Sequence, residues 1–309
     1  MIQKSKTILF FGTEDFSAYT LEALIAHGYT IGAIITKPDT RRGRNKQLSK
    51  PQVKEIGEQH NIPVWQPTKL TDITEDVNKF DSPTGVLVSY GKIIPQRIID
   101  LFTPGIINIH PSLLPAYRGP SPIESAILNG DTETGISIMQ LSAAMDAGPV
   151  YLQETTPLEG SETSPELYAK FGTRGADLLT SILPGILDET IPAAPQNDAA
   201  ASYCQLIKKE DGLLDWTQET AEQIERKIRA YAYWPQCRAM IGGLDLIITA
   251  AHAVPSDLNA PGTYKIDVAT SLLIVNTREG SLSIDQVKPL GKKEMPIQAF
   301  LAGYSSRLA

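Results

Sequence analysis

The polar pair Asn108 and His110 is the feature of this sequence that most clearly indicates chemistry. Both lie in the otherwise apolar run Ile106–His110, which is followed by prolines at positions 111 and 115. Side chains two positions apart on a strand point to the same face, so the amide and the imidazole are expected side by side at a strand end. Together they offer N–H donors that predict a site stabilising the oxygen of a carbonyl under nucleophilic attack.

Asp146, in the turn Met145–Pro149, adds a carboxylate to this set. It can orient or charge the histidine, or take a proton from an incoming amine. Taken singly, these residues also have ordinary structural interpretations, as a satisfied histidine at a strand end and a turn aspartate. The sequence has no Gly-x-Ser-x-Gly nucleophile elbow, so direct transfer is favoured over a covalent enzyme intermediate.

The elements that must position these residues alternate between strand and helix patterns in the first half of the chain. Short apolar runs indicate strands buried on both faces of a parallel sheet, at Thr7–Phe11, Ile31–Thr36, Gly85–Tyr90 and Ile106–His110. Helical patterns lie between them, at Tyr19–His27, Pro51–His60 and Pro95–Phe102. The alternation predicts an α/β fold with a Rossmann-like, doubly wound, mainly parallel sheet, whose ligands bind beyond the strand carboxyl ends.

The first strand-to-helix turn argues against a dinucleotide site in that sheet. Gly12 is the lone glycine of the turn Phe11–Phe16, whereas a dinucleotide fold requires Gly-x-Gly-x-x-Gly there. Gly12 is therefore expected only to make the turn.

The middle of the chain predicts additions to the sheet. Ile136–Gln140 and Val150–Glu154 flank a glycine-containing bend and indicate an antiparallel addition. Ser164–Leu187 has the pattern of a long amphipathic helix with Pro165 at its first position. Pro184 is expected to kink that helix or end it early.

The remainder predicts a linker and a second domain. Asp188–Asp198 is rich in Pro and Ala and has no periodicity, as expected of a linker. A helix near 220–232 is followed by strand patterns separated by turns, which indicates a small β-barrel. We expect a catalytic domain over residues 1–189, a linker over 190–205 and a barrel domain over 206–309.

Composition excludes several classes of protein. Of the 309 residues, 42% are hydrophobic and 20% are charged, which is ordinary for a globular chain. No apolar run approaches the roughly 18 residues that a membrane helix needs. Cys204 and Cys237 are too few for a disulfide framework or a zinc site. We expect a cytoplasmic protein with no metal and no membrane partner.

Charge is distributed unevenly along the chain. The net charge of −7 argues by itself against a nucleic-acid partner. The segment Lys37–Lys54 nevertheless holds seven Lys and Arg residues against Asp39 alone, so its local charge is +6. Such a run is often only a solvated loop, but beside a ligand-binding sheet edge it can attract phosphates.

The motifs around the polar pair follow a recognisable order. Asn108 and His110 are followed by Ser112–Pro115, by Gly119 and by Asp146 with its downstream glycine. Further motifs are Phe11-Gly12-Thr13, Lys37-Pro38-Asp39, Gly43-Arg44, Tyr90–Pro95, Tyr117–Ile123, Ile228-Arg229-Ala230, Trp234-Pro235 and Pro261-Gly262-Thr263. The first set resembles the folate-dependent formyltransferases, and the second narrows the resemblance to the methionyl-tRNA formyltransferase family over nearly the whole chain.

The resemblance implies transfer of the formyl group of 10-formyltetrahydrofolate to the free amino group of methionyl initiator tRNA, for translation initiation. The amine would attack directly, through a tetrahedral intermediate whose oxyanion Asn108 and His110 would stabilise. Asp146 would hold His110 and help to move the amine proton. The reaction would need no metal.

The resemblance also implies binding residues. The folate pocket would be lined by Ser112, Leu113, Leu114 and Pro115, with further walls from Tyr90, Gly91 and Ile93. The tRNA would be bound through an insertion after the second strand, at Arg41, Arg42, Arg44 and Lys46. The last domain would be an oligonucleotide-binding (OB)-like, tRNA-binding barrel, and the protein is expected to be a monomer.

Two other functions remain open at the level of sequence. A related formyltransferase acting on a small amine, such as a nucleotide sugar or glycinamide ribonucleotide, would keep the same triad but would not need the basic segment and the barrel. A non-catalytic RNA- or folate-binding protein on the same scaffold would be expected to have lost part of the triad. All three triad residues are present here.

Overall fold

The computed structural model describes residues 7–42, 47–255, 260–267 and 269–308. Contacts within the chain divide it into two compact units. The first unit takes in the chain up to Pro122, together with Thr134–Thr156 and Tyr168–Cys204. The second comprises Ile123–Glu133, Pro157–Leu167 and the chain from Gln205 onward.

The first unit is built on a sheet of short, mostly buried strands. In chain order, the strands of this part are β1 Ile8–Gly12, β2 Ile31–Ile35, β3 Thr40–Arg42, β4 Gln47–Ser49, β5 Val64–Trp65, β6 Thr84–Val88, β7 Ile106–His110, β8 Glu133–Gln140 and β9 Val150–Pro157. Within the described residues, the main sheet has seven strands in the order β5-β2-β1-β6-β7-β8-β9. β3 and β4 form a separate antiparallel hairpin.

The main sheet is parallel over its first five positions. β2 pairs in parallel with β5 and β1, β1 with β6, and β6 with β7. β8 then joins β7 in the antiparallel sense. The central strands are buried along their whole length because helices and loops cover both faces. The predicted doubly wound, mainly parallel sheet and its antiparallel addition after β7 are confirmed.

Helices alternate with these strands. The α-helices of the described chain are α1 Phe16–Ala26, α2 Gln52–Gln59, α3 Thr74–Val77, α4 Gln96–Ile99, α5 Pro122–Asn129, α6 Ser164–Leu187, α7 Ala221–Ala230 and α8 Ile297–Tyr304. α6 has the predicted bounds and continues through Pro184, so of the two predicted effects of this proline, a kink or an early end, the early end does not occur. None of the helices in the described ranges has the length and apolar character required to cross a membrane.

The second unit carries an antiparallel sheet. Its strands are β10 Cys237–Ile241, β11 Leu244–Val254, β12 Tyr264–Asp267, β13 Leu272–Asn276, β14 Ser281–Pro289 and β15 Met295–Pro296. Among the described residues they pair in the order β10-β11-β14-β13-β12, with β15 also on β14. α7 begins at a capping box formed by Thr220 and Gln223. Its apolar side buries Ile224 and Ile228. The predicted small antiparallel β domain at the end of the chain is confirmed.

Candidate active site

The polar pair lies at the carboxyl end of β7, where an α/β sheet binds its ligands. Asn108 and His110 are only 5% and 4% exposed. β7 pairs with β6 on one side and β8 on the other, so the backbone of Asn108 is fixed from both sides by Leu87 and Met139. The strand therefore presents the two side chains on one face from a rigid position, as the sequence predicts.

The polar atoms of the Asn108 side chain are not completely enclosed, since they are not among the buried, unpaired polar atoms of the described residues. Among the residues that the structure describes, no hydrogen bond is made by this amide, although the side chain is 95% enclosed. An amide that has no protein partner and is not completely enclosed can bind a group that enters beside it. Next to a histidine, such an amide is a candidate for binding an oxygen of a ligand.

His110 is held through the nitrogen that points away from Asp146. Its Nε2 lies 2.9 Å from the carbonyl oxygen of Tyr117. A carbonyl oxygen can only accept, so Nε2 must carry the proton and donate it. Nδ1 is therefore the nitrogen left free of this bond, and it faces Asp146 Oδ2 at 3.8 Å. At that distance the carboxylate attracts an imidazolium by charge rather than through a direct hydrogen bond.

Asp146 is positioned by its own turn and by the loop after β7. Its Oδ2 accepts a hydrogen bond of 2.8 Å from the backbone N–H of Gly119. Its backbone is in the left-handed region with φ at +48°, which is uncommon for a non-glycine residue. At Gly148 a Cβ atom would overlap with the carbonyl oxygen of Gln140, so only glycine fits two residues after the aspartate. This explains the Asp-x-Gly motif physically.

The residues implied for folate binding divide by exposure. Gly91 is exposed, Ile93 is 80% exposed, and Leu113 and Pro115 are half-buried, so these four can contact a ligand directly. Ser112, Leu114 and Tyr90 are buried.

The three buried residues, Ser112, Leu114 and Tyr90, make contacts inside the protein. The hydroxyl of Ser112 donates to the carbonyl of Ala116 at 2.6 Å, which closes the loop on itself. The amide N–H of Leu114 donates to Ser137 Oγ at 3.0 Å. The ring of Tyr90 packs edge-on against Phe11, and burial raises the pKa of its phenol to about 12. Tyr90 therefore stays neutral and has no acid–base role near neutral pH.

The basic segment forms the β3–β4 hairpin and the start of α2. Three lysines of the segment pair with acidic residues: Lys50 with Glu58, Lys54 with Asp39 and Lys37 with Glu14. The four cations implied for tRNA binding are the others of the segment. Arg41 and Arg42 belong to β3, and Arg44 and Lys46 lie outside the described residues.

Tyr117, Gly119 and Gln196 contribute to the site although the sequence assigned them no role. The first two act through backbone groups, and their only signal in the sequence was the motif Tyr117–Ile123. Gln196 lies in the aperiodic stretch after α6, where nothing in the sequence marks it. No cluster of metal-ligating side chains is found among the described residues.

Comparisons with known proteins place the whole chain. Residues 6–183 match the family described as Formyl transferase, and residues 206–305 match the Formyl transferase C-terminal domain. A methionyl-tRNA formyltransferase of Pelobacter propionicus is 36% identical over 301 residues, covering 97% of this chain and 93% of that protein.

Solved structures agree on the fold. An N-formyltransferase from Helicobacter canadensis, in complex with folinic acid and dTDP-3-aminofucose, superposes with a TM-score of 0.69 at 16% identity, over 90% of this chain and 98% of that one. HypX from Aquifex aeolicus, in complex with tetrahydrofolic acid, gives 0.66 at 18% identity, over 96% of this chain and 47% of that one. Because the family models match both halves of the chain and a methionyl-tRNA formyltransferase is similar over nearly its whole length, the chain belongs to the methionyl-tRNA formyltransferase family.

Proposed function

We propose that this protein transfers the formyl group of 10-formyltetrahydrofolate to the α-amino group of methionyl initiator tRNA. The observation that carries the proposal is the amide of Asn108, which makes no hydrogen bond to the described residues and lies beside His110 at the carboxyl end of β7. The names of the relatives that match nearly the whole chain support the choice of substrates. The folate ligands of the structural neighbours support the choice of formyl donor.

Asn108 and His110 stabilise the charge that develops on the formyl oxygen as the amine adds. The Asn108 amide donates without first having to break a protein hydrogen bond, because it has none among the described residues. His110 adds Nδ1–H when its ring is protonated, since Nε2 is committed to Tyr117. Each donor of this kind is worth about 3–4 kcal/mol in the transition state.

Asp146 controls charge and protons at the same point. Its carboxylate lies 3.8 Å from His110 Nδ1 and attracts an imidazolium there. The attacking amine must lose a proton, and the 17% exposed side chain of Asp146 can receive it directly or through water. The aspartate therefore has two complementary tasks, one towards the histidine and one towards the amine.

The residues around this point fit the formyl donor. The donor supplies an activated one-carbon group when it is bound. Ile93, Leu113 and Pro115 offer apolar side chains that are wholly or partly open. Gly91, at a φ of +69°, is exposed, so its own backbone groups are accessible. Apolar walls with accessible backbone groups are the usual composition of a site for a flat heterocycle.

The basic segment recruits the tRNA. Three of the segment's four lysines are paired with acidic residues, and the other cations, Arg41, Arg42, Arg44 and Lys46, supply the charge for phosphate contacts. We assign residues 1–189 to catalysis, 190–205 to a linker, and 206–309 to an OB-like barrel that also binds tRNA. The protein works as a cytoplasmic monomer in this proposal.

The test is formyl transfer from 10-formyltetrahydrofolate to three acceptors: methionyl initiator tRNA, the same tRNA uncharged, and a nucleotide-linked amino sugar. We expect product only with the charged tRNA. Formylation of the amino sugar in preference to the tRNA would show instead a small-amine formyltransferase, the alternative that the structural neighbours raise. Binding of tRNA or folate without any transfer would show a non-catalytic binding protein.

A further inference from the structure

The segment Gln196–Cys204, which we call the strap, lies across the loop that follows β7. The backbone N–H of Arg118 donates to the carbonyl of Ser202 at 2.9 Å, and the N–H of Cys204 donates to the carbonyl of Arg118 at 2.9 Å. Arg118 and Tyr203 thus form a parallel β-bridge, which holds Arg118 through both its backbone N–H and its carbonyl. The residues before and after Arg118 bind two members of the triad. The carbonyl of Tyr117 accepts from His110, and the N–H of Gly119 donates to Asp146.

The strap and the loop are packed so closely that a side chain at Gly119 would not fit. A Cβ atom there would lie 2.6 Å from the carbonyl oxygen of Cys204. The guanidinium of Arg118 is only 2% exposed and is paired with Asp198 at 2.6 Å. Burial opposes its charge, yet the hydrogen bonds with Asp198 and Tyr203 raise the pKa of Arg118 above its ordinary value. The strap is therefore anchored by a permanently charged, buried group.

Gln196 joins this anchor to the turn that carries Asp146. Its Nε2 donates to the carbonyls of Asp146 and Gly148, at 2.8 and 2.7 Å. Its Oε1 accepts from Nε and Nη2 of Arg118, at 3.1 and 2.8 Å. Both donors and the acceptor of one amide are thus used to connect the loop after β7 with the left-handed turn at Asp146.

We propose that the strap sets the distance between His110 and Asp146, and that Gln196 is the positioning residue for the aspartate. This inference rests on the proposed function, in which the two side chains cooperate. Without the two hydrogen bonds from Gln196, the turn loses its attachment to Arg118, and the carboxylate can move away from Nδ1. A displacement of about 1 Å at such a centre costs on the order of 100-fold in rate.

The variant Gln196→Glu separates the two connections. A carboxylate at position 196 still accepts from Arg118, but it can donate nothing to the carbonyls of Asp146 and Gly148 and repels them. We expect kcat for formyl transfer to fall roughly 10–100-fold with little change in KM for either substrate. The matched control is Asn197→Ala, because Asn197 is exposed and its side chain only caps Ala199; it should retain wild-type kcat.

A double-mutant cycle distinguishes positioning from general stability. If Gln196 acts through Asp146, Gln196→Glu lowers kcat no further in an Asp146→Asn background. Multiplied losses, with all variants folded by circular dichroism, would overturn the inference. So would a wild-type kcat in Gln196→Glu alone.

A second readout does not depend on activity. The N–H of Gly119 donates to the Asp146 carboxylate, so its hydrogen exchange reports whether that carboxylate is in place. We expect faster exchange at Gly119 in Gln196→Glu and unchanged exchange in Asn197→Ala. Equal exchange in all three proteins would overturn the inference even if the formyl acceptor proved to be another amine. A wild-type protein that formylates nothing would overturn the proposed function alone.

Discussion

Replacing Asn108 with leucine should leave the stability of the protein nearly unchanged and remove most of its activity. Leucine keeps the branched shape of the side chain but removes the amide, which is buried at 5% exposure without a partner among the described residues. Because the amide has no hydrogen bond to these residues to lose and its polar atoms are not completely enclosed, the free energy of unfolding should change by less than about 1 kcal/mol. For a unit of this size that corresponds to a change in Tm of less than about 4 °C. Loss of one oxyanion donor should lower kcat about 100- to 1,000-fold.

The matched control is Asn276→Leu in the antiparallel sheet. Asn276 is also 5% exposed, but its Oδ1 accepts a hydrogen bond of 3.2 Å from Ser281 Oγ. The same substitution there strands a buried hydroxyl, so it should lower the free energy of unfolding by about 1–3 kcal/mol. Turnover should be unaffected, since Asn276 has no place in the proposed chemistry.

The assay combines thermal unfolding, followed by circular dichroism, with formyl transfer under saturating substrates. The expected result is a lower Tm in Asn276→Leu only, with activity lost only in Asn108→Leu. A Tm that falls in Asn108→Leu as it does in Asn276→Leu would show that the Asn108 amide stabilises the fold. The reasoning from its unpaired state to catalysis would then be refuted.

Two further outcomes are expected. Gly148→Ala should lower the free energy of unfolding in urea by about 1–3 kcal/mol or more, because the new Cβ overlaps with the Gln140 carbonyl. Gly303→Ala is the control: Gly303 lies in α8 with open space around it, so this substitution should be neutral or slightly stabilising. An equal response at both glycines would contradict this. Arg44→Ala should raise KM for tRNA and reduce the salt slope of tRNA binding by about 1. Lys50→Ala should change this slope less, because Lys50 is already paired with Glu58. An unchanged slope in Arg44→Ala would assign phosphate binding to other residues.

Much of the fold follows from local patterns in the sequence. The runs that form β1, β2, β6 and β7 are continuous and apolar because both faces of these strands are buried. The bounds of α6 were readable from its amphipathic period, and its passage through Pro184 was not, because tertiary packing decides whether a helix tolerates a proline. The hairpin β3–β4 has too few residues to show a periodicity.

The candidate site was partly readable for a related reason. Asn108 and His110 stand out because polar side chains are rare in a buried strand. The contacts that fix them involve backbone groups and residues distant in sequence. The Tyr117 carbonyl, the Gly119 N–H and the side chain of Gln196 are examples. A backbone group has no residue type, so its role cannot appear in a sequence pattern.

The measurement that tests the central claim most directly is the single-turnover rate of formyl transfer to methionyl initiator tRNA by His110→Ala. With both substrates saturating and the variant shown to be folded, the rate should fall at least about 100-fold, since a donor and a charge are lost together. The affinity for the tRNA should be unchanged, because His110 makes none of the proposed phosphate contacts. A rate within about tenfold of wild type, a loss below that expected for one oxyanion donor, would contradict the assignment of Asn108, His110 and Asp146 as the catalytic centre.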